Sequence, residues 1–440
     1  MSVLNKNQLS ALLKRRHDLI PGGAHTYSKG DDQFPSNAPK AAVKGRGAYV
    51  WCEDGKKYLD WCMGLRSVSL GHVYPAVNKA VKVQMDQGTN FGRPHLTEFL
   101  LADRITKLLP GVEMVKFAKN GSTVTTAATK LARAYTGRKY IAVCKSQPFF
   151  SYDDWFIGTT DCGAGIPAEI KKLTLTFEYN NYASLETLFK EYPDQIACVI
   201  LEPVTMVEPK DNFLKKIEIL TKKNKAVFII DEMITGFRFD LLGAVKIYDL
   251  KPDLVTYGKG IANGYSLAVL GGKKEIMERG GIQHNKERVF LISTTHGAET
   301  TAIAAALATI DEMQKKKVQE HFWKIGDQIK TGMEKLIKKY DLTGLIEVVG
   351  FAPNLFMNFR DTDGAISFVL KTIFLQETIK RGLLFQGAFP LSYSHKSAEV
   401  VKTLKVMDEV MAVYKKVLAD KNRNKYLVGE AIKPVFRKFN

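Results

Sequence analysis

The chain is poor in the residues that build metal centres and disulfide frameworks. Its 440 residues include five cysteines, Cys52, Cys62, Cys144, Cys162 and Cys198, and eight histidines. The cysteines are widely spaced, with no CxxC pair and no clustered histidine partners. Neither a zinc site nor a disulfide framework is indicated, so no metal is expected and the thiols are read as buried or incidental. No window holds enough consecutive apolar residues to span a bilayer. The opening stretch, MSVLNKNQLSALLKRRHDLI, has no apolar core followed by a small-residue cleavage site, so no secretion signal is read and a cytoplasmic location is expected. Internal repeats and low-complexity segments are also missing. What remains is an ordinary globular composition, 45% hydrophobic and 25% charged, in a chain long enough for more than one domain.

Charge of one sign is in excess: the formal net charge is +18. The lysines concentrate in helical-looking segments such as KKIEILTKKNK, MQKKKVQEHFWK and MEKLIKKYD. Nucleic-acid binders join such charge to a recognisable module or an aromatic stacking platform, and neither is present. Solvated helix faces are the reading, with no nucleic-acid or membrane partner, and the field would draw anionic small molecules inward.

One stretch organises the rest. Val227, Phe228, Ile229 and Ile230 form a short apolar run ending in Asp231 and Glu232. A second run, Leu254 to Tyr257, ends in Gly258-Lys259-Gly260. Short apolar runs separated by a crossover read as neighbouring parallel strands with functional groups at their carboxyl ends. Taken alone, a lysine and a carboxylate so placed could form a structural ion pair. They are also what a pyridoxal phosphate site needs: an amine to hold the cofactor covalently, and a carboxylate to keep a proton on its ring nitrogen.

Along the chain, Asn5 to Leu19 reads as a helix ended by Pro21-Gly22-Gly23. AYVW and KKYLDW flank Glu53-Asp54-Gly55 as a hairpin. Helices are expected near 74–84, 96–109, 184–190 and 213–223, and strands at 115–118, 140–144 and 197–201. After Ala268 come a further strand, a lysine-rich helix, and VFLISTTHGAETTAIAAALATIDEM, read as strand, loop and small-faced helix. KNGSTVTTAATKLARAYTG is a polar loop entering a helix, a place where backbone N–H groups face an anion. From about Lys315 the pattern changes to long charged helices at 321–339, 377–380 and 396–418 around strands such as 355–359. The alternation before that point predicts an α/β, doubly wound, mostly parallel sheet.

The wording around these elements resembles the class III aminotransferases of fold-type I, in the branch that contains glutamate-1-semialdehyde aminomutase, from Leu19 to about His395. The resemblance implies an amino-terminal segment (1–65) that joins the small domain, a large pyridoxal 5'-phosphate-binding domain (66–314), and a carboxyl-terminal small α+β domain (315–440). It implies Lys259 as the Schiff-base lysine and Asp231 as the partner of the pyridine nitrogen. By strand periodicity Met233 faces the same side, against the ring, while Glu232 faces away. Gly121, Ser122 and Thr123 match the phosphate-binding turn, although Val124 stands where the family usually has Glu. Phe149 matches the stacking aromatic, with a core-packing phenylalanine as the alternative, and Glu202 of ILEPV matches a glutamate near the ring. Thr294, or Thr295 one position on, matches a threonine that reaches the phosphate of a neighbouring subunit, implying a homodimer with shared active sites.

On the substrate side the likeness thins. Lys29 replaces the aminomutase arginine that takes the substrate carboxylate, and lysine lacks its bidentate fork. Gly387 falls near the position of the glutamate that contacts substrate amino groups. Arg66, in MGLRSVSLGH, stands where the family has a small residue, and is read either as a substrate contact or as a surface salt bridge. The expectation is an intermolecular aminotransferase with a keto or aldehyde acceptor, a sugar-like compound being one candidate; the alternative is an aminomutase forming 5-aminolevulinate.

Overall fold

The computed structural model of the protein describes residues 5–147 and 149–440. Two compact units emerge. One holds Arg66–Leu70 and Tyr74–Glu320 with the last three residues; the other holds the residues up to Leu65, Gly71–Val73 and His321–Arg437.

The first unit is built on a seven-stranded sheet. In spatial order its strands are Met114–Ala118, Ala268–Gly272, Leu254–Tyr257, Val227–Asp231, Ile196–Leu201, Tyr140–Cys144 and Thr174–Phe177. Only Ala268–Gly272 runs against the rest, pairing antiparallel with both neighbours. The remaining neighbours pair in parallel. The central runs, IACVIL and VFIID, are buried at every position, as strands covered on both faces must be. Leu214, Ile217 and Leu220 of the helix Phe213–Lys223 share one cluster with Val199, Leu201, Phe228 and Ile230 of the sheet. The helix Gly121–Thr136 buries Val124, Ala127, Ala128, Leu131 and Ala132, and the small-faced helix Thr300–Lys316 packs on Pro75–Gln87 and on the turn Lys259–Ala262.

Three expected elements differ. The run Val289–Ser293 is irregular, not a strand. Its groups are used locally: the Val289 N–H donates to the Arg279 carbonyl at 2.9 Å, and the Phe290 carbonyl accepts from Lys130 Nζ at 2.7 Å. Among the described residues none pairs with it in a ladder, and an apolar run becomes a strand only where a neighbour does. The amino-terminal helix is broken at Arg15 into Lys6–Lys14 and Arg16–Leu19. The lysine-rich helix after Ala268 is a single turn, Lys274–Met277.

The second unit draws strands from both chain halves. Ala42–Arg46, Tyr49–Cys52 and Lys57–Asp60 form an antiparallel meander, and Leu383–Leu384 joins it in parallel. Its hairpin turn uses Gly55 at φ 77°, while Asp54 accepts from the Lys56 N–H at 2.9 Å. A second sheet pairs Ile346–Phe351, Asn354–Phe359 and Ala388–Pro390, beside the helices Phe368–Lys380 and Ser397–Leu418. The first of these is longer than the expected 377–380. No helix among the described residues is long and apolar enough to cross a membrane.

Candidate active site

Functional groups of the first unit gather at the carboxyl ends of the parallel strands, where open α/β sheets place their ligands. Asp231 ends one strand, Glu202 follows the next, and Lys259 lies two residues beyond Leu254–Tyr257. Asp231 pairs in register with Thr256, and its Oδ1 accepts from Thr256 Oγ1 at 2.8 Å and from the Met233 N–H at 2.9 Å. Gln147 brackets Glu202 from the adjacent loop: its Oε1 accepts from the Glu202 N–H at 2.8 Å and its Nε2 donates to the Glu202 carbonyl at 2.5 Å. That clamp fixes the backbone and leaves the carboxyl group pointing elsewhere. Both Glu202 carboxyl oxygens are buried with no hydrogen-bond partner among the described residues.

Burial dominates the electrostatics. It raises the Asp231 carboxyl, against the pull of the Lys259 charge and its two hydrogen bonds. It pushes Glu202 up to about 8, the Asp231 charge adding to the effect while Lys259 and Arg66 oppose it. It lowers Lys259, an effect that Glu202 and Asp231 offset in part. The lysine is therefore biased toward the neutral, nucleophilic amine. Glu232 faces away and serves structure: it accepts from Thr235 Oγ1 and from the Val245 N–H, the latter at 2.7 Å.

Glycine at 258 has a specific cause. A Cβ there would collide with the Met233 sulfur, and one on Gly121 would lie 3.0 Å from the Met233 Cε. The Met233 thioether thus lies against both glycines, tying the lysine turn to the start of the helix Gly121–Thr136. Gly260 differs: a Cβ there meets only ordinary contact, 3.6 Å from Ser69 Cβ, so crowding does not require it. Lys259 itself has φ 40°, a left-handed conformation that is costly outside glycine.

At the helix start, Asn120 is the N-cap. Its Oδ1 accepts from the Thr123 N–H at 2.9 Å and from Thr123 Oγ1 at 3.1 Å. Thr123 is thus turned toward its own cap, and Ser122 Oγ accepts from the Tyr152 N–H at 3.1 Å. Val124 is fully buried in the core.

The segment Arg66–Leu70 is fastened onto the lysine turn. Ser69 Oγ donates to the Gly260 carbonyl at 2.7 Å, and Asn263 Oδ1 accepts from the Leu70 N–H at 2.7 Å. Arg238, 2% exposed, donates from Nη2 to the Arg66 carbonyl at 2.7 Å. Four residues in a row leading into this segment have positive φ: Met63 at 42°, Gly64 at 56°, Leu65 at 55° and Arg66 at 77°. Three are not glycine, and each costs about 1–2 kcal/mol in that region. The turn opens under Asp60, whose Oδ1 accepts from the Cys62 and Met63 N–H groups at 2.7 and 3.2 Å.

Lys259, Asp231, Glu202, Met233, Gly121 and Arg66 are thereby brought together. Phe149 is 46% exposed and meets the edge of Phe156, while the neighbouring Phe150 is buried. Thr294 and Thr295 sit on an exposed turn closed by the Gly297 N–H to the Thr294 carbonyl at 3.1 Å. Lys29 is exposed on the turn Tyr27–Lys29 of the other unit. Gly387, also there, has φ 90°, a backbone on which a glutamate would be strained. Arg238, Gln147 and Asn263 escaped the sequence reading because their partners are far along the chain. Thr256 left a signal, a hydroxyl in an otherwise apolar strand facing Asp231.

These residues fit a pyridoxal phosphate group. A buried carboxyl without donors, beside a half-buried amine and a second buried carboxylate, forms a polar space that a ring with a protonated nitrogen and an aldehyde carbon suits. The helix start beside Met233 suits a phosphate.

The family model for class III aminotransferases matches residues 33–409. Glutamate-1-semialdehyde 2,1-aminomutase of Neisseria gonorrhoeae is 31% identical over 433 residues, covering 93% of this chain and 98% of that protein. Among solved structures, the FumI protein of Sphingopyxis sp. MTA144 in its pyridoxal phosphate internal aldimine form has a TM-score of 0.86 at 22% identity, over 95% of this chain and 99% of that one. A glutamate-1-semialdehyde aminomutase of Pseudomonas aeruginosa PAO1 gives 0.78 at 20% identity, over 92% and 97%.

Proposed function

The chain belongs to the class III aminotransferase family, whose cofactor is pyridoxal 5'-phosphate, and we propose that it transfers an amino group from a donor to a separate keto or aldehyde acceptor, with Lys259 holding the cofactor. The observation that carries this reading is the grouping of the buried Asp231 and Glu202 with the half-buried Lys259 at adjacent strand ends. When bound, the cofactor supplies an electron sink for the carbon that loses its proton. Asp231, oriented by Thr256 and the Met233 N–H, keeps negative charge beside the ring nitrogen. Lys259 Nζ, biased by burial toward the free amine, takes the proton from the amino-bearing carbon and returns one at the acceptor carbon. Gly121 and Ser122 offer the phosphate backbone N–H groups at the helix start, with Thr123 beside them. Met233 sets the spacing between that start and Lys259, and Glu202 supplies a protonated carboxyl next to the reacting groups.

A homodimer fits the surface. Leu96, Phe99 and Leu100, at one-face spacing on the helix Leu96–Leu108, are 65%, 60% and 50% exposed, and Phe91, Ile282 and Phe290 are exposed as well. In this reading a second copy covers this area and Thr294 or Thr295 serves the other copy's phosphate.

The 31% identity to an aminomutase across nearly the whole chain favours a second reading, in which both half-reactions act on one substrate. Lys29 and Gly387 weigh against it. One screen decides. Borohydride reduction of the purified enzyme should fix the cofactor on Lys259, and turnover should need both a donor and an acceptor. Efficient formation of 5-aminolevulinate from glutamate-1-semialdehyde with no added donor would establish the mutase instead.

A further inference from the structure

We propose that a charged cavity at the far end of the sheet from Lys259 binds a small phosphate-bearing anion, inorganic phosphate or a phosphate monoester. The cavity measures about 630 Å³, and its walls include Lys274, Arg279, His284 and Lys286 together with Glu113 and Glu278. Every lining residue is charged or a histidine, which suits a compact hydrophilic ligand and excludes an apolar one. Its place follows from strand direction. Glu113 stands just before Met114–Ala118, and the other end of that strand leads to Asn120 and Gly121. Five residues of strand, at about 3.3 Å each, put roughly 16 Å between the two ends. The Glu113 N–H donates to the Gly272 carbonyl at 3.0 Å, and the Lys273 N–H to the Asp253 carbonyl at 3.0 Å. The chain leaving Ala268–Gly272 therefore enters the cavity wall at that same end. None of these residues takes part in the amino transfer proposed above.

What is left unmatched in this cavity is donors. His284 Nδ1 accepts from the Lys286 N–H at 3.1 Å, which places the hydrogen of the neutral ring on Nε2. That Nε2, and Arg279 Nε, are shut from solvent with no hydrogen-bond partner among the described residues. A buried N–H without an acceptor is costly, and a ligand oxygen relieves it. Both side chains are half-exposed, so a rotation turns either donor to the ligand. The carboxylates, by contrast, are engaged. Glu113 Oε2 accepts from the Lys274 N–H at 2.7 Å, Glu278 Oε1 accepts from the Gln283 N–H at 2.8 Å, and Glu275 is hydrogen-bonded to Tyr135. Lys273 is paired with Asp253 at 2.6 Å. Arg279 Nη2 donates to the Glu287 carbonyl at 3.2 Å. Among the described residues, Lys274, Arg279 and Lys286 have no carboxylate in salt-bridge contact. Three cations and two directional N–H groups thus await oxygen acceptors that carry negative charge. A tetrahedral phosphate offers them in several directions, where a carboxylate offers two in one plane. The three glutamates on the same walls repel a larger polyanion, which narrows the ligand to a compact one.

The test uses the holoenzyme after borohydride reduction, so that the cofactor's own phosphate stays in its site and cannot be exchanged for the probe. Inorganic phosphate and glycerol 1-phosphate are titrated by calorimetry at constant ionic strength, with chloride and glycerol as blanks. Saturable binding at one site per chain is expected for at least one probe. Phosphate binding alone marks the free ion as the ligand, and tighter binding of the ester marks a phosphorylated metabolite; either supports the site. Arg279→Gln should weaken binding by about 10- to 100-fold, and His284→Leu by about 2- to 10-fold. Lys286→Gln should weaken it as well, while Lys216→Gln, on the exposed side of the helix Phe213–Lys223, should leave it unchanged. No saturable binding overturns the proposal, and so does an equal loss in Lys216→Gln, which would mean diffuse attraction to a basic surface. If Arg279→Gln does not fold, wild-type affinity in both His284→Leu and Lys286→Gln overturns it. Weakened self-association of Arg279→Gln in analytical centrifugation, with phosphate affinity unchanged, would assign the unmatched donors to a second copy and overturns it too.

Discussion

Replacing Glu202 by glutamine should change how stability depends on pH in the cofactor-free protein. The carboxyl group is fully buried, has no hydrogen-bond partner among the described residues, and is pushed up from its ordinary 4.5 to about 8. Between those values the folded chain holds a proton that the unfolded chain has released. The folded state then binds more protons than the unfolded one, so stability falls as pH rises through this window and is lowest, for this group, above about 8. At 1.36 kcal/mol per pH unit the full effect is at most about 5 kcal/mol. Glu232, raised to about 7 by burial, slopes the same way but completes its loss earlier. Lys259, lowered by burial, slopes the opposite way at higher pH, because there the unfolded lysine binds the extra proton. Asp231, also raised by burial, slopes the same way, so the difference between wild type and Glu202→Gln reports Glu202 together with its pull on Lys259 and Asp231. Urea denaturation at pH 5, 6, 7 and 8 should give curves that meet at low pH and diverge upward, with the variant more stable at pH 8 by a few kcal/mol. Parallel stabilities across that range would refute the claim that Glu202 is protonated in the fold. A variant less stable at every pH would mean that its carboxylate is charged and paired.

Asp231→Asn should keep the fold and much of the cofactor but slow the half-reaction by about 10²–10³-fold, since a neutral amide cannot hold the proton on the ring nitrogen; near wild-type rates in stopped-flow absorbance would assign that role to another residue. In the shared-site reading, Thr294→Val would remove a charge-assisted hydrogen bond worth about 1.5–3 kcal/mol. If Thr294 serves a second copy, cofactor retention on dialysis should fall while analytical centrifugation still shows a dimer, and a fully active monomer would refute the shared site.

Much of this arrangement was legible because it is local. Apolar runs at 196–201, 227–231 and 254–257 can only be strands covered on both sides, and parallel strands align their carboxyl ends. Asp231 and the turn bearing Lys259 follow from that alignment. Helix boundaries such as Phe213–Lys223 follow from spacing in the same way. The hydrogen bonds that orient these groups join residues far apart in sequence, and no period announces them. The Arg238 contact to Arg66, the Gln147 bracket on Glu202, and the Asn263 and Ser69 ties exist only once the chain is packed. The exposed position of Phe149, and the irregular path of Val289–Ser293 in place of a strand, were decided there as well. Whether an aromatic ring or an apolar run is buried depends on which neighbour occupies the space beside it. The sequence alone determined the central buried strands, the turns at their ends and the chemistry each could carry; tertiary packing decided which side chains meet and which apolar runs find a neighbour, because burial and partner geometry are properties of the assembled chain.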